Sequence, residues 1–71
     1  RLVFIANGDD AVMLFADGAC FDCVGETSAV AKILCAQDSL VLDVDLATNA
    51  AVVDLLTQLC NMGCIAFESE E

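Results

Sequence analysis

Residues 11–24 read Ala11-Val12-Met13-Leu14-Phe15-Ala16-Asp17-Gly18-Ala19-Cys20-Phe21-Asp22-Cys23-Val24, two apolar runs on either side of an Asp-Gly pair. Asp-Gly supplies the positive φ angles of a tight hairpin turn, so the stretch reads as two antiparallel strands. With a two-residue loop, Ala16 faces Ala19, Leu14 faces Phe21 and Val12 faces Cys23, which makes one small apolar sheet face. Met13, Phe15, Cys20 and Asp22 then point the other way. A three-residue loop with a bulge would shift the register and place Met13 and Phe15 with Phe21 instead. In either register one strand is apolar on both faces, which implies that both faces are covered.

Working outward, Leu2 to Ala6 is a short apolar run closed by the turn formers Asn7-Gly8-Asp9-Asp10, and with the hairpin it completes a three-stranded antiparallel meander. Beyond the hairpin, Glu26-Thr27-Ser28 leads into Ala29 to Ala36. There a hydroxyl at Thr27 or Ser28 can cap the free amides, and Val30, Ile33 and Leu34 share a helical stripe. Asp38 to Ala47 is ambiguous: Leu40, Leu42, Val44 and Leu46 alternate with Val41, Asp43 and Asp45 as in a strand. The clearest element runs from Thr48 or Asn49 as cap to Met62, with Val52, Leu55, Leu56 and Leu59 on one face and Asp54, Thr57, Gln58 and Asn61 opposite. Gly63 sits where a left-handed C-terminal cap belongs. Cys64-Ile65-Ala66-Phe67 reads as a last strand, followed by an acidic tail. The fold class is therefore α+β and winged-helix-like: a three-stranded antiparallel meander, two or three helices and a C-terminal strand.

Seventy-one residues make one domain, 1–71, and a domain this small buries only roughly 60% of the surface its unfolded chain exposes. Its 59% hydrophobic content exceeds the roughly 45–50% typical of globular domains. More apolar surface is present than one small core can hide, so part of it is expected to meet another domain or subunit. The chain starts at Arg1 without an initiator methionine, already in what reads as strand interior, and so reads as a fragment of a larger chain. Its first apolar run is too short for a signal peptide or a membrane span, and the expectation is a soluble cytoplasmic protein.

Arg1 and Lys32 are the two basic residues against twelve acidic ones, and there is no histidine, tryptophan or tyrosine. A net charge of −10 repels nucleic acid and anionic membranes, both of which bind through Lys and Arg neutralising phosphate. The third helix of a winged-helix layout is commonly the nucleic-acid reader, but here it offers Asp54, Thr57, Gln58 and Asn61 with no cation. A cationic partner fits better, such as a basic peptide or a ribosomal protein. The plainer account of the charge is that it keeps an apolar domain in solution.

The chemistry-bearing side chains are few. A histidine ligand or base is impossible, and a nucleophilic cysteine would lack its usual imidazole. Five cysteines raise the possibility of zinc, chiefly through Cys20, Cys23, Cys60 and Cys64. A tetrahedral site needs four converging sulfurs, yet residues three apart on a strand point to opposite faces. Cys23, Cys35 and Cys60 lie where small apolar packing is wanted, and an odd count without a signal peptide favours reduced thiols. The clustered carboxylates Asp9-Asp10 and Asp43-Val44-Asp45 read as solvated turn or helix faces. A calcium loop begun at Asp43 would need glycine where Thr48 stands. No catalytic, cofactor-binding or metal residue is expected, and the chain itself is not expected to be an enzyme.

Two stretches carry a family resemblance. Met13-Leu14-Phe15-Ala16-Asp17-Gly18-Ala19-Cys20-Phe21 is similar to the LFxNGxxF hairpin, and residues 52–68, VVDLLTQLCNMGCIAFE, are similar to the LLxxLxNQGYLxFE ending, of the C-terminal winged-helix domain in JmjC-type ribosomal oxygenases. The similarity spans about Arg1 to Glu70, with Asp17 in place of Asn, Met62 in place of Gln and Cys64 in place of the aromatic. Those enzymes are cupin-fold hydroxylases of ribosomal proteins that depend on Fe(II) and 2-oxoglutarate. The resemblance implies a helix near Leu40 to Ala47. It also implies an iron-binding HxD…H set upstream in the parent enzyme, with no catalytic residue carried over to this chain. This chain would be the part that packs on the neighbouring catalytic domain or a second subunit, with Met13, Phe15 and Cys20 as the contacting surface. A reading of a different class is a free-standing peptide-binding module resembling the leader-peptide recognition elements of peptide-modifying systems, which add a peptide strand to a sheet edge.

Overall fold

In a computed structural model that describes residues 2–37 and 39–66, the chain is a small α+β fold: a three-stranded antiparallel sheet followed by helices. Strands β1 (Leu2–Ala6), β2 (Ala11–Ala16) and β3 (Ala19–Val24) lie in the order β1-β2-β3. Helices α1 (Glu26–Ala36), α2 (Val44–Ala47) and α3 (Ala50–Asn61) follow.

The hairpin takes the two-residue loop. Asp17 and Gly18 have φ of 48° and 86°, and Ala16 pairs with Ala19, Leu14 with Phe21 and Val12 with Cys23. Two successive positive φ angles match the right-handed twist of the strands, which is why no bulge is needed. This register sends Val12, Leu14, Ala16 and Cys23 into the core, joined from β1 by the half-buried Leu2 and Phe4.

Helix α1 lies across all three strands and against α3. The core forms where Ala31, Leu55 and Leu59 meet the sheet, and a second cluster joins Val30, Val52 and Leu56. Each fully buried leucine or valine stabilises the fold by roughly 1.5–3 kcal/mol relative to exposure. The buried face of α3, Val52, Leu55, Leu56 and Leu59, is the stripe its periodicity indicates. Asn49 caps that helix by accepting from the amides of Ala51 and Val52 at 3.0 and 3.1 Å. At the other end the Gly63 amide donates to the Cys60 carbonyl and the Cys64 amide to the Leu59 carbonyl, both at 3.0 Å. With Gly63 at φ 80°, this paired closure is a Schellman motif.

Two expectations need correction, and one stretch left open is decided. Helix α1 begins at Glu26, three residues before Ala29, and Gly25 stands at its cap without a side-chain bond. The Thr27 hydroxyl is committed instead to Val24, and Ser28 donates back to the Gly25 carbonyl at 2.8 Å. In the ambiguous middle, Ser39 to Asp43 form neither helix nor strand and only Val44–Ala47 are helical; Asp38 lies outside the described residues. Asp43 accepts from the Leu46 amide at 2.9 Å, so a local cap overrides the strand-like alternation, while valine and aspartate, poor helix formers, keep the helix short. Finally, Cys64 to Ala66 form no strand; Phe67 and the acidic tail lie outside the described residues, as does Arg1. Ile65 still packs against both core clusters, so its burial is achieved by side-chain contact without ladder hydrogen bonds.

Candidate functional site

The helices cover one side of the sheet. On the other side the alternation of β2 sends Met13 and Phe15 outward, and pairing sets Ile5 beside Met13 and Val3 beside Phe15. From β3, Asp22 lies opposite Met13 and Cys20 opposite Phe15. The result is an apolar face across all three strands with Phe15 38%, Val3 46%, Ile5 59% and Val24 64% exposed. Met13, Phe15 and Cys20 are brought together there: the Cys20 thiol lies 3.9 Å from the Met13 sulfur and can donate a weak hydrogen bond to it. The doubly apolar strand implies that both faces are covered, and among the described residues nothing covers the outer one. Val3, Ile5 and Val24 extend the surface beyond the residues singled out from sequence. The signal for the first two was present in β1, whose five residues are all apolar and so cannot all face one side. A separate exposed apolar segment, Val41, Leu42 and Val44, leads into and through the start of α2.

Between the edge of β3 and helix α3 runs a cleft of about 380 Å³. Its walls are the successive residues Cys20 to Val24 on one side and Ala51, Asp54, Leu55 and Gln58 on the other, with Thr27 beside them. Residues 51, 54, 55 and 58 share one helical face because three- and four-residue steps nearly complete a turn. Gln58 donates to the Asp54 carboxylate at 3.0 Å, holding that charge at the rim. None of the lining residues is basic.

The five cysteines are unpaired and distributed across the fold. Cys20 is exposed and Cys23 buried, on opposite faces of β3 as strand geometry requires. Burial pushes the Cys23 thiol above its ordinary pKa of 9.0, and the nearby Asp22 charge adds to this. Burial does the same to Cys35. The Cys64 thiol is raised by lost solvation and by its contact with Asp17, whose carboxylate it approaches at 3.5 Å. These environments favour the neutral thiol and so oppose nucleophilic or metal-binding thiolate. Among the described residues no three His, Cys, Asp or Glu side chains converge as a group that could hold a metal ion. Asp9 and Asp10 occupy the β1–β2 turn and Asp43 caps α2, so the clustered carboxylates have structural positions. Among the described residues no helix is long and apolar enough to cross a membrane.

Compared with protein-family models, curated proteins and solved structures, the chain finds no match in any of the three.

Proposed function

We propose that this chain is a non-catalytic, winged-helix-like accessory domain of a JmjC-type ribosomal oxygenase. It would dock through its open sheet face on the neighbouring catalytic domain or a second subunit, and support substrate engagement by a cytoplasmic enzyme acting on a basic ribosomal protein. The observation that carries the reading is the uncovered apolar face formed by Val3, Ile5, Phe15 and Val24. Surfaces of this kind in small soluble domains mark interaction sites. The LFxNGxxF-like hairpin and the LLxxLxNQGYLxFE-like ending supply the family. Iron chemistry is outside this chain: it has no histidine, so its residues do not fit the His-and-carboxylate site that holds Fe(II) with 2-oxoglutarate in such enzymes. Sequencing the open reading frame that encodes the chain tests the assignment. An upstream HxD…H set supports it, and an upstream region lacking that set removes the oxygenase.

A second reading is favoured by the open edge of β3: a peptide-binding module resembling leader-peptide recognition elements. A short independent reading frame beside a small precursor peptide would support it. Solution behaviour separates the two, since a self-contained binder is a monomer, whereas a severed domain associates or binds hydrophobic dye through its open face.

A further inference from the structure

Cys20 is the exposed thiol among the five cysteines, and a second sulfur stands beside it. The Met13 Sδ, on a half-buried side chain of the neighbouring strand, lies 3.9 Å from the Cys20 Sγ. Strand pairing brings them together. Cys20 stands opposite Phe15 and Asp22 opposite Met13, so Met13 and Cys20 are diagonal neighbours on the open face, within reach of a long side chain.

We propose that Met13 and Cys20 form a two-sulfur site for copper(I). Two sulfurs 3.9 Å apart can both reach one ion over ordinary metal–sulfur bonds of about 2.3 Å, with an angle of about 115° between them. That bent arrangement belongs to a three-coordinate centre, whose third position here faces solvent. The ion arrives as a complex with a small-molecule thiol, which keeps the third position. As the copper bond to Cys20 forms, the Cys20 proton passes to a second, departing donor thiolate, and Met13 contributes a lone pair. Copper stays in the +1 state throughout, so no oxidant or reductant is required.

The donor set selects the ion. A thioether is uncharged and polarizable, so with a thiolate it suits soft copper(I), whereas calcium, magnesium and manganese take oxygen ligands. Zinc needs four donors around a tetrahedron, and this pair supplies two, in a chain without histidine. Ile5, paired with Met13, and Phe15, paired with Cys20, flank the sulfurs with apolar surface, which a strongly hydrated ion would avoid. The Asp22 carboxylate and the net charge of −10 draw cations toward the face. The site lies within the surface assigned above to docking but does not rest on that reading. Copper and a docked partner compete for the face, so the site belongs to the undocked chain.

The test titrates the oxygen-free chain, with glutathione present, against Cu(I) held by bicinchoninate, whose absorbance reports transfer. NMR of the Met13 methyl group reads location, since closed-shell Cu(I) leaves the resonance sharp. The first equivalent of ion should transfer to the chain and shift that resonance. Met13→Leu keeps a similar volume and should weaken binding at least about tenfold, the lower end of what loss of even an outer-shell partner costs a metal site. Cys20→Ser should abolish this binding, and Cys60→Ser should leave it unchanged. Both substituted side chains of the pair lie on the open face, and amide spectra matching the parent's verify that each variant is folded. Equal affinity of Met13→Leu and the parent overturns the paired site in favour of a lone thiol. Undiminished binding by Cys20→Ser, or no transfer to the parent chain, overturns the site altogether, and zinc held as tightly as copper(I) overturns the choice of ion.

Discussion

The Thr27 hydroxyl holds both backbone groups of Val24, accepting from the amide at 2.9 Å and donating to the carbonyl at 2.7 Å. One side chain at the start of α1 thus finishes the end of β3 and fixes the strand to the helix that crosses the sheet. The chain turns between them through Gly25, whose amide donates to the Asp10 carbonyl at 2.8 Å, tying the same corner to the β1–β2 turn.

Replacing Thr27 by valine keeps the shape and removes both bonds. The expected loss is about 1 kcal/mol, the net value of a typical intramolecular hydrogen bond, since Val24 is exposed enough for water to replace part of what is lost. Urea unfolding of Thr27→Val against the parent chain measures this. An unchanged midpoint would mean that water substitutes fully for the hydroxyl.

Gly63→Ala isolates a backbone effect. A methyl group there meets nothing within 4 Å, so no clash contributes, but φ of 80° is costly for any residue with a Cβ. A destabilisation of about 1 kcal/mol is expected. Thermal unfolding reads it, and a stability equal to the parent's would show that the helix end relaxes out of its Schellman closure.

The two sides of the sheet should respond differently to substitution. Leu59 is fully buried, and Leu59→Ala is expected to cost about 2–5 kcal/mol. Phe15→Lys, on the open face, should cost under about 1 kcal/mol and reduce hydrophobic-dye binding. Equal destabilisation by the two substitutions would place Phe15 in the core and remove the docking surface.

Alkaline stability should follow the thiols. Cys23, Cys35 and Cys64 all have folded-state pKa values above the ordinary 9.0, so the folded chain holds these protons more tightly than the unfolded one. Their stabilising contribution is complete below the unfolded-state value and is lost as pH rises from about 9 through the raised folded-state values. The chain has no histidine or tyrosine to add a competing pH dependence in this range. Unfolding midpoints should hold level from pH 7 to 8.5 and fall above 9, and replacing Cys23 by alanine should flatten the fall. A midpoint that rises with pH in this range contradicts the assignment.

Much of the fold was legible because it rests on local rules. Asp17-Gly18 marks the turn and limits the hairpin to two registers, and the structure selects the two-residue loop in which Val12, Leu14 and Cys23 share a face. Val52, Leu55, Leu56 and Leu59 mark the buried stripe of α3 through periodicity, and Gly63 marks its end. The misreadings, and the one stretch left open, fall where two local rules compete. Thr27 is a good cap by type, but a neighbouring strand end claimed its hydroxyl. Leu40 to Leu46 alternate as in a strand, yet no strand pairs with them and Asp43 starts a helix. Cys64 to Ala66 carry apolar residues suited to a strand, and the core takes Ile65 without one.

The candidate surfaces were less legible. Met13, Phe15 and Cys20 share one face in one of the two registers the hairpin allows, and the structure takes that register. That the face is open, and that Val3 and Ile5 enlarge it, depends on all the helices lying on the opposite side. The cleft against β3 could not be read at all, since it joins residues 20–24 to residues 51–58 across the length of the chain.

By itself the sequence determined the strands of the meander, the turn that joins its hairpin, the ends of α3 to within a residue, and the acidic, histidine-free composition. Each of these follows from turn chemistry, side-chain period or residue inventory, which act within a few residues of one another or need no geometry. The tertiary structure decided which sheet face is covered, which edge remains open and which hydroxyl serves which backbone group. Those outcomes depend on packing and hydrogen-bond competition between segments distant in sequence, where an apolar or polar residue has several possible partners and only the assembled fold selects one.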